Sequence, residues 1–246
     1  ESARCADIGS SPGNRSVAEE GISPENPDQE TGFVERRGPF RGRQNDSANT
    51  DRGILIRQGV RNENVCIALL HSHVYDRKGR VSVTSIANMD IHDIARCART
   101  YGVGRFYIVT PIEEQRILAG KILRHWQSGY GSVHNPSRKE AFSLVDLKGD
   151  LGEVVEDMVL RFGKEPRIVV TGARMAGKTF PAASLREKIL AGSDPFLLLF
   201  GTGWGLAEEV VERAHYLLEP IRGTGEYNHL PVRAAVAILL DRLWGR

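Results

Sequence analysis

The segment TGARMAGKT, residues 171 to 179, contains the pattern G-x-x-x-x-G-K-T directly after the apolar run RIVV. In nucleotide hydrolases this spacing forms a loop that holds phosphates, with the lysine and threonine in the first turn of a helix. Here Phe180 and Pro181 follow at once, and a proline at that depth in a helix removes an amide donor and clashes with the preceding turn. The next apolar run, PFLLLF, ends in GTGWG without a carboxylate to organise magnesium. A P-loop-type nucleotide hydrolase using residues 172–179 is therefore one hypothesis, and the sequence favours a chance match within a glycine-bearing loop.

Two more glycine-rich segments follow apolar runs farther along the chain. They are LLLFGTGWGLAEEV, residues 197 to 210, and LLEPIRGTGEYNHLPVRAAVAILLDRL, residues 217 to 243. Glycine lets a backbone approach a ligand closely, and ligands of parallel α/β sheets sit in the loops at the carboxyl ends of the strands. With VTGAR, these segments predict three loops that converge on one small molecule. The alternative is that each glycine only satisfies a turn.

A mostly parallel sheet is needed to bring such loops together, and the pattern of the chain predicts one. From about residue 63, short apolar runs bounded by turn residues alternate with amphipathic stretches, which is typical of an α/β domain. The predicted strands are Val65 to Leu70, Phe106 to Thr110, Phe142 to Val145, Arg167 to Val170, Phe196 to Phe200 and His215 to Leu218.

Two helical stretches carry regular apolar faces. One is formed by Ile91, Ile94, Ala95 and Ala98, which recur at helical spacing. The other lies behind Pro231 at the C-terminal end and has no polar interruption. It consists of Val232, Ala235, Val236, Leu239, Leu240 and Leu243. Each of these faces predicts a helix packed against the core.

Residues 1 to 62 differ in composition from the remainder of the 246-residue chain. The stretch IGSSPGNRSVAEEGISPENPDQETG is rich in Ser, Gly, Pro, Asn and Glu and shows neither helical nor strand period. Such a stretch buries too little apolar surface to offset its ordering entropy. We predict a disordered tail or linker over residues 1–62 and one α/β domain over residues 63–246.

Charge and cysteine usage exclude several classes of protein. The formal net charge of +2 creates no strong overall field that demands nucleic acid or an acidic membrane, although a local basic surface remains open. The three cysteines, Cys5, Cys66 and Cys97, are scattered and form no C-x-x-C pair, which predicts a reducing, cytoplasmic setting without a disulfide framework or zinc ribbon. No apolar run approaches the roughly 20 residues that span a bilayer, so no membrane partner is predicted.

Taken together, three segments resemble the SPOUT (α/β-knot) family of S-adenosylmethionine-dependent RNA methyltransferases. They are NMDIHDIARCARTYGV (residues 88 to 103), FGTGWGLAEEV and EPIRGTGEYNHLPVRAAVAILLDRL. The closest resemblance is to the predicted RNA methyltransferases related to the C-terminal domain of bacterial tRNA guanine-N1 methyltransferase proteins, over about residues 64 to 245. It implies a C-terminal trefoil knot, a methyl donor bound among the three loops, tRNA or rRNA as substrate, and a homodimer with the site at the interface.

The resemblance also implies where S-adenosylmethionine binds. The donor would lie against three groups of residues, with adenine walls from Leu218, Ile221 and Leu230. The implied residues are Thr171 and Gly172; Phe200, Gly201, Thr202, Gly203, Trp204, Gly205 and Leu206; Leu218, Glu219, Pro220, Ile221, Tyr227, Asn228, His229 and Leu230. The alternative for the leucines and isoleucine is ordinary core.

The resemblance implies catalytic roles for Asp90, Arg96 and His229. Ribose-methylating relatives carry an asparagine and, six residues later, an arginine, and Asp90 and Arg96 stand at those positions here. The alternative role of Asp90 is that of a helix N-cap. Arg96 lies with His92 and Arg99 on the helix face opposite the apolar stripe, and the alternative is that this face is only exposed to solvent.

Three departures from the ribose-methylating pattern leave a base nitrogen open as the target. Besides Asp90, FGTGWGL lacks the glutamate usual in that loop, and NHLPVR has His229 and Pro231 where serine and asparagine are common.

Other polar residues have weaker patterns. His71 and His73 share a strand face, and His92 follows, but no cysteine or carboxylate completes a metal spacing, so no metal is predicted. Several basic residues are candidates for contacts with RNA phosphates: Arg77, Lys78, Arg80, Arg96, Arg99 and Lys178. A non-catalytic RNA-binding member of the knot fold remains a second alternative.

Overall fold

The computed structural model describes residues 63–175 and 177–245. The predicted tail or linker over residues 1–62 lies outside the described residues. Six strands form one parallel sheet in the order β5-β4-β1-β7-β6-β8. They are β1 (Val65–Leu70), β4 (Arg105–Val109), β5 (Val145–Lys148), β6 (Arg167–Val170), β7 (Phe196–Gly201) and β8 (Tyr216–Leu217). Strands β2 (Val74–Tyr75) and β3 (Val81–Ser82) form a separate antiparallel pair.

Helices cover both faces of this sheet. They are α1 (Asn88–Thr100), α2 (Glu113–Gln127), α3 (Tyr130–His134), α4 (Pro136–Phe142), α5 (Leu151–Phe162), α6 (Ala182–Ala191), α7 (Glu208–Val211) and α8 (Val232–Trp244). All six side chains of strand β1 are buried, so both faces of the sheet must be packed against helices at this strand. Val65, Ile67 and Leu69 pack into a core with α1, α6 and α8, whereas Cys66, Ala68 and Leu70 pack into a second core with α5. The predicted α/β class with a mostly parallel sheet is therefore confirmed.

Five of the six predicted strands are confirmed to within a residue or so at their ends, but the prediction for Phe142 to Val145 is wrong. Asn135 accepts a hydrogen bond from the Arg138 amide at 2.9 Å and so caps α4, which begins at Pro136 and continues to Phe142. Phe142 is buried as the last residue of this helix, and the strand starts only at Val145. The apolar residues of this segment belong to a helix and a strand that pack into the same core. A periodicity over only four residues cannot distinguish these two elements.

The two predicted apolar faces pack as expected. Ile91, Ile94, Ala95 and Ala98 of α1 are fully buried. In α8, Val236, Leu239, Leu240 and Leu243 are buried, and the helix packs against α1 and α6. Pro231 is the N-cap of α8 rather than part of its first turn. Because all six strands of the large sheet are parallel, the loops that follow β1, β6, β7 and β8 leave the sheet at one edge.

Candidate active site

A cavity of about 870 Å³ lies at the carboxyl edge of the sheet. That volume is within the range of sites for small molecules and cofactors. The cavity is lined by the loops after β1, β6, β7 and β8 and by the first turns of α1 and α8. It brings together most of the residues singled out from the sequence: Asp90, Thr171, Gly172, Phe200, Gly201, Thr202, Gly203, Trp204, Gly205, Leu206, Glu219, Ile221, Asn228, His229 and Leu230.

Four of the residues singled out lie outside the cavity wall. Leu218 is fully buried in the core, and Pro220 is half-buried beside it. Tyr227 is exposed, with its ring 5.4 Å from that of His229. The Arg96 side chain is 62% exposed and its nearest carboxylate, of Asp93, is 4.0 Å away.

The loop after β7 is held close to the β2 strand by backbone bonds. The Trp204 amide donates to the Tyr75 carbonyl at 2.9 Å, and the Tyr75 amide donates to the Gly205 carbonyl at 2.9 Å. Gly203, directly before Trp204, has φ +59, and a Cβ there would stand 2.8 Å from the Tyr75 oxygen. Glycine at this position is therefore required by the close approach of two backbones, not by a turn alone.

The loops after β6 and β8 are also joined. Thr171 donates its hydroxyl to the Leu199 carbonyl at 2.8 Å, which fixes the start of the β6 loop on β7. Asn228 donates from its side-chain amide to the Ala173 carbonyl at 3.2 Å. The Met175 side chain lies over Gly172, where a Cβ would clash with its terminal methyl group. Three loops that are far apart in sequence thus form one wall of the cavity.

The nucleotide-hydrolase hypothesis does not agree with this loop. Helix α6 begins at Ala182 with Pro181 as its N-cap, so Lys178 and Thr179 lie before the helix and not in its first turn. Lys178 is exposed, and Gly177 has φ +89. The backbone amides of a helix start therefore do not surround this lysine in the way that a phosphate loop requires.

Asp90 is buried in the cavity wall, and its role differs from the predicted helix cap. The N-cap of α1 is Ala87, and no side chain caps the helix. Instead, Arg233 of α8 donates to the Asp90 carboxylate at 3.3 Å and lies 3.6 Å from that of Asp93. The carboxylate is held in place by an ion pair between the first and the last helix. Sequence reasoning missed Arg233, although it stands directly in the NHLPVR segment.

The polar face of α1 is used mainly for packing against its neighbours. Arg99 forms an ion pair with Glu140 of α4. His92 packs edge-on against Phe142 at 4.7 Å and Trp126 at 5.5 Å. Burial, and then the nearby Arg138, lower the pKa of His92. Arg96 is largely exposed and does not line the cavity of its own chain.

His71, at the end of β1, is a site residue that the sequence presented only as a weak metal candidate. Its Nδ1 lies 3.1 Å from the Thr84 hydroxyl, which lies 2.5 Å from the Thr202 hydroxyl. Thr202 donates to the Leu70 carbonyl at 3.0 Å. Since Thr202 donates its one proton to Leu70, we assign the Thr84 proton to Thr202 rather than to the His71 carbonyl 3.5 Å away, and the His71 ring proton to Nδ1. This relay leaves the buried Nε2 as an acceptor with no hydrogen-bond partner among the described residues.

The environment of His71 keeps its ring neutral. Burial lowers the pKa of His71 to about 4. Its neighbour His73 has φ +52 and contacts the Ser72 hydroxyl at 3.2 Å and Glu209 at 3.7 Å. Within residues 63–175 and 177–245, no group of three histidine, cysteine or acidic side chains is placed to hold a metal ion.

Four side chains form a cluster at the mouth of the cavity, which we call the rim. The rings of Trp204 and His229 are 6.3 Å apart, and those of Tyr227 and His229 are 5.4 Å apart, both edge-on. The Arg174 guanidinium stands 5.8 Å from the centre of the Trp204 ring, and its Nη2 is 3.4 Å from His229 Nε2. Arg174 was also missed from the sequence, because a single arginine in a loop carries no pattern.

A parallel sheet with a glycine-lined cavity at the carboxyl edge of its strands is the architecture of an α/β enzyme that binds a small molecule. Residues 64–245 match the family model described as SAM-dependent RNA methyltransferase. The chain therefore belongs to this family of S-adenosylmethionine-dependent RNA methyltransferases. The family and the cofactor predicted from the resemblance are confirmed.

Curated relatives share 45% identity with the chain over 185 residues. One is an uncharacterized protein of Aquifex aeolicus, in which the match covers 75% of this chain and 90% of the relative. Another is named tRNA (guanine-N(1)-)-methyltransferase of Nitratidesulfovibrio vulgaris, in which it covers 74% of this chain and 42% of the relative. The matched region is thus less than half the length of the named methyltransferase.

Solved structures agree with the fold. A putative methylase family protein from Neisseria gonorrhoeae superposes with a TM-score of 0.52 at 17% identity, covering 77% of this chain and 85% of that one. In the part of the chain that the structure describes, no helix has both the length and the apolar character needed to cross a membrane.

Proposed function

We propose that this enzyme transfers the methyl group of S-adenosylmethionine to a tRNA or rRNA nucleotide in the cavity at the carboxyl edge of the sheet. The observation that carries the proposal is the convergence of the three glycine-bearing loops on one cavity of about 870 Å³. The name of the Nitratidesulfovibrio relative supports tRNA as the substrate.

The donor half of the cavity is formed by the loops after β6, β7 and β8. Gly172 and Gly203 line this half, and buried Phe200 and Leu206 provide an apolar floor. Backbone amides and carbonyls with apolar walls suit an adenosine, so these residues fit the cofactor. When bound, S-adenosylmethionine supplies an electrophilic methyl group on a sulfonium sulfur.

The acceptor half lies next to the end of β1. Asp90, fixed by Arg233, offers a carboxylate that accepts the proton leaving the target atom. His229 also lines the cavity, where it would contact the nucleotide whose nitrogen or oxygen receives the methyl group. Both a base nitrogen and a ribose hydroxyl remain candidates for the acceptor atom.

Arg96 enters this proposal through a second copy of the chain. It lies outside the cavity of its own chain and is largely exposed. In a homodimer with the site at the interface, it reaches the partner's cavity and orients the acceptor there. We also propose that α8 is threaded through a preceding loop to form the C-terminal trefoil knot that the resemblance implies, and the packing of α8 against both α1 and α6 supports this.

The test is transfer of labelled methyl from S-adenosylmethionine to tRNA and rRNA from a strain that lacks the protein, followed by mapping of the modified nucleotide. Calorimetry should show binding of S-adenosylhomocysteine without magnesium. Binding of both ligands without any transfer would identify a non-catalytic RNA-binding member instead. Magnesium-ATP binding abolished by Lys178→Ala, with none for S-adenosylhomocysteine, would contradict the site.

A further inference from the structure

The rim cluster of Arg174, Trp204, Tyr227 and His229 presents exposed aromatic side chains, whereas the floor of the cavity is buried. The Trp204 side chain is 50% exposed and the Tyr227 side chain 80% exposed, whereas the floor residues Phe200 and Leu239 are buried. The adjoining Leu230 is exposed as well. Exposed large apolar side chains gathered at one place mark a binding surface.

The rim is assembled from three separate loops. Arg174 follows β6, Trp204 follows β7, and Tyr227 and His229 follow β8. The two edge-on ring contacts and the guanidinium over Trp204 hold the four side chains together. An aromatic face thereby stands at the entrance, above the half of the cavity that suits the cofactor.

The charge of the rim favours an anion. Among the described residues, Arg174 makes no ion pair with a carboxylate, and its polar side-chain contact is with His229. Arg233, which also lines the cavity, is by contrast paired with both Asp90 and Asp93. The Arg174 guanidinium is therefore available to a phosphate without breaking an ion pair with the protein.

We propose that the rim stacks on an unpaired nucleobase of the RNA substrate and contacts its phosphate through Arg174. This inference rests on the proposed function and specifies its substrate as a nucleotide in a loop or one that is extruded from a helix. A base within a duplex has both faces covered and cannot reach a cavity wall, while an unpaired base offers π faces to Trp204 and Tyr227. A guanidinium beside aromatic rings complements the phosphate of the same nucleotide.

The experiment compares Trp204→Ala, Trp204→Phe and Tyr227→Ala in the full chain. The matched control is Tyr130→Ala on α3, since Tyr130 is 73% exposed and its ring stacks on His134 at 4.1 Å, outside the cavity. Affinity is measured for S-adenosylhomocysteine by calorimetry and for tRNA from a strain lacking the protein by fluorescence anisotropy. The same tRNA annealed to a full-length complementary strand tests the need for unpaired bases.

Loss of one base-stacking contact should weaken tRNA binding by about 5- to 100-fold in Trp204→Ala and in Tyr227→Ala. Trp204→Phe keeps an aromatic face and should lose less than about fivefold, and Tyr130→Ala should bind as the wild type does. In Trp204→Ala and in Tyr227→Ala the loss of tRNA affinity should exceed any loss of S-adenosylhomocysteine affinity, Tyr130→Ala should bind S-adenosylhomocysteine as the wild type does, and the annealed duplex should bind more weakly than the free tRNA.

Three results would overturn the inference. Equal losses of S-adenosylhomocysteine and tRNA affinity would assign the rim to the cofactor, and dissociation of a dimer in Trp204→Ala by analytical ultracentrifugation would assign it to a subunit interface. Unchanged tRNA affinity in both alanine variants would exclude stacking. Rim-dependent tRNA binding without methyl transfer would instead refute the proposed function and leave the rim assignment intact.

Discussion

His71 links the stability of the protein to pH. Burial lowers its folded-state pKa to about 4 from the ordinary 6.5, so the unfolded chain binds more protons between these values. The contribution of the neutral ring to stability is full above about pH 6.5 and is lost as the pH falls towards 4. Between about pH 6.5 and pH 4, we expect the melting temperature of His71→Gln to fall less steeply than that of the wild type.

The measurement is thermal unfolding by circular dichroism in steps between pH 7 and pH 4. The pKa of His92 is lowered as well. The substitution His92→Gln should therefore also reduce the pH dependence of the melting temperature, by a smaller amount than His71→Gln. If His71→Gln loses stability with falling pH as steeply as the wild type does, burial does not lower the pKa of His71 in the folded protein.

The ion pair between Asp90 and Arg233 gives a second prediction at this scale. Arg233→Met removes the partner of a buried carboxylate, which should cost about 1–2 kcal/mol of unfolding free energy, discounted because Arg233 is partly exposed. Asp90→Asn should lose methyl transfer while S-adenosylhomocysteine affinity stays within about twofold. Chemical denaturation and labelled transfer check the two statements, and Asp146→Asn on β5 is the control, since Asp146 lies outside the cavity and its ion pair is with Arg105.

At the scale of elements, α8 holds the core and the cavity together. Leu239 is buried in the main core and also lines the cavity. Truncation to alanine leaves a hole, so Leu239→Ala should cost about 2–5 kcal/mol and weaken cofactor binding. The matched control is Leu160→Ala on α5, where the side chain is 89% exposed and the change should stay within about 0.5 kcal/mol. Equal costs for both substitutions in urea denaturation would show that the α8 stripe is not the packed face.

The elements also show how far the sequence could be interpreted. The stripes of α1 and α8 were predictable because a buried helix face repeats every three to four residues. The start of β5 was not, because Phe142 and Val145 are apolar for different reasons, one at the end of a helix and one at the start of a strand. Glycine spacing predicted the three loops, but Arg233, His71 and Arg174 enter the cavity through tertiary contacts that no local pattern records.

At the scale of the whole molecule, the proposed homodimer makes a quantitative prediction. If Arg96 acts in the partner's cavity, a chain with Arg96→Ala and a chain with Asp90→Asn are each inactive alone. Mixed dimers then contain one site with both residues intact, so an equal mixture after refolding together should regain about a quarter of wild-type transfer. Labelled transfer before and after mixing measures this. No recovery, with mixed dimers present, would place Arg96 in the cavity of its own chain, and unchanged transfer by Arg96→Ala alone would place it outside the site.

The position of β1 has a consequence for how the protein folds. Its neighbours are β4 and β7, and the side chain of Asn64 at its start donates to the Asp194 carbonyl, 130 positions later in the chain. Closing a loop of this length costs entropy before the pairing stabilises it, so folding should be slow relative to helical proteins of similar size. On the ribosome, β1 has only one of its two partners until β7 has emerged. The cavity, whose last residues belong to α8, can therefore form only after α8 has left the ribosome.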